Sequence, residues 1–284
     1  MTNQLGEKYI PKRKLSDDSA RDLKKIEDWI KKNKHSKEEV EEPITKLDEE
    51  KPKISISSKD LTFITDENLY KEIVCYMDKT FHYTSAFSIG KLYFDGVMKG
   101  SNPYIATAVD MFLQSINDTH RIATQKDLET NLEMFKGFYE DTGLVLRSLN
   151  YPNKDKAKYL YKQIRKENFT LPIFSNLRRL NIFFDLRGLK LDANLNFNLT
   201  EESRYKTANC LNWKIGTKYS KIDEFGLPKE KDENSSRHIW ALEDGLVRLY
   251  LNKSLDLVSY DEYLEVSNDS GRVVLINSEK ELLK

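Results

Sequence analysis

An α+β fold with a disordered, charged arm ahead of it is what the sequence predicts, on three observations. Residues 1–57 are crowded with Lys, Glu and Asp and nearly empty of aromatics. From about 66 to 167 apolar residues recur every three or four positions, the period of a helix. Beyond about 180 the period falls to two, that of a strand. Helices in one block and strands in the next argue for α+β over an alternating order. Three segments follow: the arm at 1–57, a helical region at 58–170, and a mostly antiparallel, β-rich region at 171–284. The last two are either separate or share one core.

The arm cannot bury enough apolar surface to offset the entropy of ordering it. Ser19–Asn33 is the exception. Leu23, Ile26, Trp29 and Ile30 fall on one side of a helix, and Ser19 with Asp22 resembles a capping box. The spacing predicts a short amphipathic helix at 19–33. Charges of both signs around Pro43 and Pro52 then suit an extended linker.

In the body, Leu69, Ile73, Met77 and Phe81 predict a first helix. Phe87, Leu92, Tyr93 and Val97 predict a second over 85–98. Pro103 opens a third, which ends near Ile116. Leu128, Leu132, Phe135 and Phe138 predict a fourth over 124–139, after which Asp141-Thr142-Gly143 punctuates the chain. Pro152 starts a fifth, to about Glu167. The odd positions Leu189, Leu191, Ala193, Leu195, Phe197 and Leu199 then alternate with polar residues. That pattern predicts one strand at 189–199 with a buried and a wet face. Asn181–Leu186 is expected beside it. The runs Leu246–Leu251 and Arg272–Ile276, with a turn signal at Asn268–Gly271, predict a C-terminal hairpin. Residues 229–237 read as a polar loop and Ser278–Leu283 as a short closing helix. Tyr104, Phe135 and Trp213 read as core.

Composition excludes several classes of function. The 284 residues carry 46 Lys and Arg against 46 Asp and Glu. A formal net charge of zero gives no global pull toward nucleic acid or anionic membrane, so such binding needs a local patch. No window approaches the ~18 apolar residues of a membrane span, and no apolar leader follows Met1. Two cysteines, Cys75 and Cys210, cannot make a disulfide framework and read as buried thiols in a reducing compartment. A cytoplasm, the cell's own or a host's, is the expected location.

No motif assigns a reaction. His35, His82, His120 and His238 are scattered, with no partner at a metal-ligand spacing, so no metal site is expected. Cys75 and His82 lie two helical turns apart, and a Cys–His dyad there competes with a plain amphipathic helix. There is no Gly-rich phosphate loop, and no cofactor is expected. Asp185, Asp192, Glu201, Glu202 and Lys206 surround the proposed strands and supply the residue types of a metal-dependent nuclease, without its spacing.

Two binding surfaces remain. Leu23, Ile26, Trp29 and Ile30 of the arm helix form a stripe that is marginal alone in water and needs a surface. That surface belongs to the body, to another copy or to a partner, with Trp29 as anchor. Mixed charges on its other face disfavour a membrane. The second surface is the predicted fifth helix, which Lys154, Lys156, Lys158, Lys162, Arg165 and Lys166 crowd, interleaved with Tyr159 and Tyr161, and on which Lys158, Lys162 and Arg165 or Lys166 can share a side. Such a side can straddle phosphates, and Lys12-Arg13-Lys14 and Arg178-Arg179 add basic clusters. The reading that follows is a non-enzymatic assembly or interaction protein, in a coat-like or nucleocapsid-like variant touching nucleic acid. The alternative is a metal-dependent nucleic-acid-processing hydrolase with carboxylates on the C-terminal sheet.

Overall fold

The computed structural model describes residues 61–82, 85–166, 180–241, 244–259 and 263–277. The expected arm helix at 19–33, with Leu23, Ile26, Trp29 and Ile30, lies outside the described residues, as do Arg178, Arg179 and the closing helix at 278–283. Within them the fold is α+β. An eight-stranded mixed sheet forms its centre, in the order β11-β10-β12-β14-β13-β5-β6-β9. Its strands are β5 (Glu140–Leu146), β6 (Ile182–Asp185), β9 (Tyr205–Thr207), β10 (Thr217–Ile222), β11 (Pro228–Lys231), β12 (His238–Ala241), β13 (Leu246–Leu251) and β14 (Leu257–Ser259). In this sheet β12 and β14 run parallel, and the other described pairs are antiparallel. A smaller antiparallel sheet, β1-β15-β4, joins Leu61–Phe63, Val274–Asn277 and His120–Ile122.

Among the described residues four α-helices accompany the sheets: α1 (Glu67–Thr80), α2 (Pro103–Ser115), α3 (Gln125–Glu129) and α4 (Lys154–Lys166). Their starts are written locally. Asp66 caps α1 by accepting from the amides of Asn68 and Leu69. Pro103 occupies the first turn of α2 behind the Asn102 cap. Thr124 and Asp127 close a reciprocal capping box on α3. Ile73 and Met77 of α1, Ile105, Val109 and Leu113 of α2, and Leu160 and Ile164 of α4 pack with Leu144, Ile182, Phe184 and Leu246 of the sheet in one cluster. The other sheet face buries Val145, Phe183, Tyr219, Ile239, Val247 and Leu249. Tyr104 and Phe135 are core as expected, and Trp213 packs half-buried against the second cluster.

The region read as helices contains strands. Residues 85–98 form a 3₁₀ turn and a hairpin, β2 (Leu92–Phe94) with β3 (Val97–Lys99). Asp95 and Gly96 both take positive φ, 54° and 71°, the geometry of a two-residue hairpin turn, and this overrides the helical spacing. The helix expected over 124–139 stops at Glu129 and resumes as a 3₁₀ turn, Leu132–Phe135, because Asn131 leaves helical geometry. Asp141-Thr142-Gly143 is not a break but the middle of β5. A Cβ on Gly143 would lie 2.1 Å from the Phe183 ring, so glycine there admits the neighbouring aromatic.

The second half also departs from its expected register. The alternating run 189–199 is a tight hairpin, β7 (Lys190–Leu191) with β8 (Phe197–Asn198), not one strand. The carboxylate of Asp192 accepts from the amides of Asn194 and Asn196, and Leu195 takes φ 60°, so the chain reverses between them. Leu189, Leu191, Leu195 and Phe197 still point inward, because a hairpin preserves the alternation on each arm. β6 pairs with β5 and β9 rather than with this hairpin. The loop expected at 229–237 contains β11. Leu246–Leu251 pairs with β14 and β5, while Val274–Asn277 joins the small sheet, so the expected C-terminal hairpin of these two runs does not form.

Candidate functional site

Helix α4 carries an exposed basic face on a fixed mount. Ala157, Leu160 and Ile164 are buried, at three- and four-residue spacing, and set its inner side. Three polar side chains fasten its flank to the β7–β8 hairpin. Lys156 Nζ donates to the Leu195 carbonyl at 2.7 Å. Tyr159 Oη donates to Asn198 Oδ1 at 2.8 Å. The Gln163 amide bridges the Phe197 carbonyl and the Leu199 amide at 3.0 and 2.8 Å. Burial lowers the Lys156 ammonium, against the pull of Asp192 and Glu265.

Lys154, Lys158, Lys162 and Arg165 are all exposed. At about 100° per residue they share roughly 80° of the helix surface over about 16 Å of its length. None of the four enters an ion pair among the described residues. These four side chains thus form one surface. The side chain of Lys166 lies outside the described residues. Asp155, also exposed, is the acid on this face. Tyr161 packs half-buried against the core, whereas Tyr159 remains 39% exposed.

A second concentration of chemistry is buried. Asp110 on α2 accepts from the amides of Ile122 and Gly188. Arg121 and Asp127 form a buried ion pair at 2.7 Å. Asp185, at the end of β6, faces Arg204 at 3.9 Å and accepts from the Arg187 amide at 3.2 Å. Glu140 accepts from the Val274 amide through Oε1, while Oε2 has no hydrogen-bond partner among the described residues. Burial pushes Asp185 up to about 6, against the pull of Arg204 and Arg187. Burial also raises Asp110 and, strongly, Glu140. Asp141 and Arg248 make a forked pair, and Glu129, Arg237 and Tyr219 a triad joining α3 to β10 and the start of β12.

These acids do not assemble as metal ligands: among the described residues no group of three or more His, Cys, Asp or Glu is placed to hold an ion. Asp185 faces arginines, and Asp192 holds its own turn. Partial burial pushes Asp192 up, yet its bonds from Asn196 and Asn194 prevail and keep it below the ordinary range. Lys206, buried beside Asp223 and Glu224, serves as a clamp on their loop. Cys210 is buried, and its thiol is pushed up to about 12 by burial; Cys75 is exposed, contrary to expectation, because Ile73 and Met77 define the inner face of α1. His120 leans on Asp118, and His238 on Asp256.

Sequence reasoning found the basic face but missed its neighbours. Lys190 and Asn198 stand directly opposite each other in the β7–β8 hairpin, and Asn198 holds Tyr159. Only the hairpin brings them to α4, and no local signal in the sequence marks that. No protein-family model matches the chain, and no curated protein or solved structure shows significant similarity to it. No helix among the described residues is long and apolar enough to cross a membrane.

Proposed function

We propose that this chain is a non-enzymatic assembly or interaction protein that touches nucleic acid through α4, in the manner of a coat-like or nucleocapsid-like protein. The observation that carries the reading is the exposed face of Lys154, Lys158, Lys162 and Arg165 on a helix whose other side is locked into the core. Four cations spaced along a rigid helix suit a polyanion with regularly spaced charges, and they need no net positive charge on the whole chain. The arm stripe of Leu23, Ile26, Trp29 and Ile30 supplies the assembly contact, to a protein partner or to further copies. A reducing, cytoplasmic compartment fits two free cysteines.

Fluorescence anisotropy of the full chain with mixed-sequence oligonucleotides over a salt series tests the nucleic-acid half. Four phosphate contacts predict a log–log salt slope of about −3 to −4, lost in Lys158→Glu/Lys162→Glu. Absent or salt-independent binding refutes it. Light scattering of the full chain and of Trp29→Asp tests the assembly half, which fails if mass and partner capture are the same in both.

A further inference from the structure

Beside the basic face of α4 lies an aromatic ring in a polar frame. Tyr159 sits one residue after Lys158 and three before Lys162, on the flank of α4 that meets the β7–β8 hairpin. The residue is 39% exposed, and its hydroxyl is held by Asn198. Across the hairpin, Asn198 stands opposite Lys190, which is exposed and projects from the same face. An accessible ring is therefore bracketed by cations: Lys158 and Lys162 on the helix side, Lys190 on the hairpin side.

A duplex offers such a ring no base to stack on. Its bases are stacked on one another, so it offers a helix phosphates and groove edges but no free base face. A single strand presents unstacked bases, each with a π-face, alternating with phosphates. Resting on the reading of α4 as a nucleic-acid contact, we propose that this face selects single strands, with one base stacked on Tyr159 and the adjoining phosphates held by Lys158, Lys162 and Lys190. The hydrogen bond to Asn198 holds the ring in place before binding, which spares the complex the cost of ordering it. Asp155, four residues before Tyr159, is an exposed acid at the edge of this face and opposes the strand.

The test compares oligothymidylate and oligouridylate with a blunt DNA duplex of equal length, by anisotropy, against the full chain and four variants: Tyr159→Ala, Tyr159→Phe, Asp155→Asn and Lys158→Glu/Lys162→Glu. Circular dichroism melts establish that each variant is folded. The expected result is tighter binding of the single strands. Tyr159→Ala weakens that binding by about 5- to 150-fold, the contribution of one base–ring stack, and leaves the duplex unchanged. Tyr159→Phe keeps most of the affinity, and Asp155→Asn raises it. Thymidylate against uridylate separates DNA from RNA as the natural strand. Equal binding of single and double strands, with Tyr159→Ala neutral, overturns the stacking proposal while the basic-face reading stands. Absence of oligonucleotide binding, an unaffected double charge reversal, or binding only to phosphatidylserine vesicles overturns both.

Discussion

Replacing Arg248 by Met should cost more than any other single truncation on the sheet. Arg248 lies on β13 and Asp141 on the adjacent β5, with side chains 3% and 0% exposed. Arg248 Nε and Nη2 donate to the two carboxylate oxygens at 2.7 and 2.5 Å, and Nη1 donates to the Val266 carbonyl at 2.6 Å. The guanidinium also lies over Tyr250 at 4.8 Å and Tyr139 at 5.7 Å. Methionine fills much of this volume but leaves the Asp141 charge buried beside Ser101 Oγ. Breaking one side of a buried pair costs about 3–5 kcal/mol. At about 2–4 °C per kcal/mol for a domain of this size, Tm falls by about 6–20 °C. Urea denaturation gives the free energy directly. Replacing both members, Arg248→Met with Asp141→Asn, removes the orphaned charge and should recover a large part of the loss. Because the pair is buried, 0.5 M NaCl should change little. A loss below about 1 kcal/mol for Arg248→Met, or strict additivity in the double variant, would refute the view that these groups act as one desolvated unit.

Asp185 governs a pH dependence of stated sign. Its folded-state value is raised from 3.8 to about 6, so the native state holds its proton more tightly than the unfolded chain does. Stability is therefore highest below about pH 4 on this account and falls by about 3 kcal/mol as pH rises to 6 and beyond. Asp185→Asn should flatten that part of a Tm-against-pH curve, and an unchanged curve counts against the assignment. Gly143→Ala forces a methyl into the Phe183 ring and the Phe184 carbonyl and should cost about 1–3 kcal/mol or more by urea denaturation. A chromogenic disulfide reagent should titrate Cys75 at once in the native protein and Cys210 only on unfolding; two fast thiols would contradict the burial of Cys210.

The sequence makes α1, α2 and α4 legible because each has an apolar repeat and a local start signal. It misleads where a turn outranks a period. Leu92, Tyr93 and Val97 are spaced as on a helix, yet Asp95-Gly96 between them is a stronger instruction, since both residues tolerate positive φ and the hairpin satisfies its own backbone. At 189–199 the inward and outward faces are readable, but the reversal is not, because it depends on Asp192 folding back onto two amides rather than on Gly or Pro. The order of the large sheet is not local at all. β5 pairs with β13, about a hundred residues away, and no periodicity encodes that choice.

The same distinction separates the two sites. A surface face is a property of one helix, and a helix is periodic, so Lys158, Lys162 and Arg165 could be grouped from spacing alone. The buried network has no such rule. Asp110, Arg121, Asp127, Glu140 and Asp185 come from five positions that only the packing of α2, α3 and the sheets brings together. Each acid there is answered by an amide or an arginine, apart from the second oxygen of Glu140. Tyr159 lies between these cases. Its place on the helix follows from the sequence, but its orientation follows from Asn198 on the hairpin. An aromatic on an amphipathic helix is ordinarily core or incidental surface. Here a hydrogen bond to a neighbouring element holds the ring at the edge of a basic face, and that tertiary contact, not the spacing, makes Tyr159→Ala the informative variant.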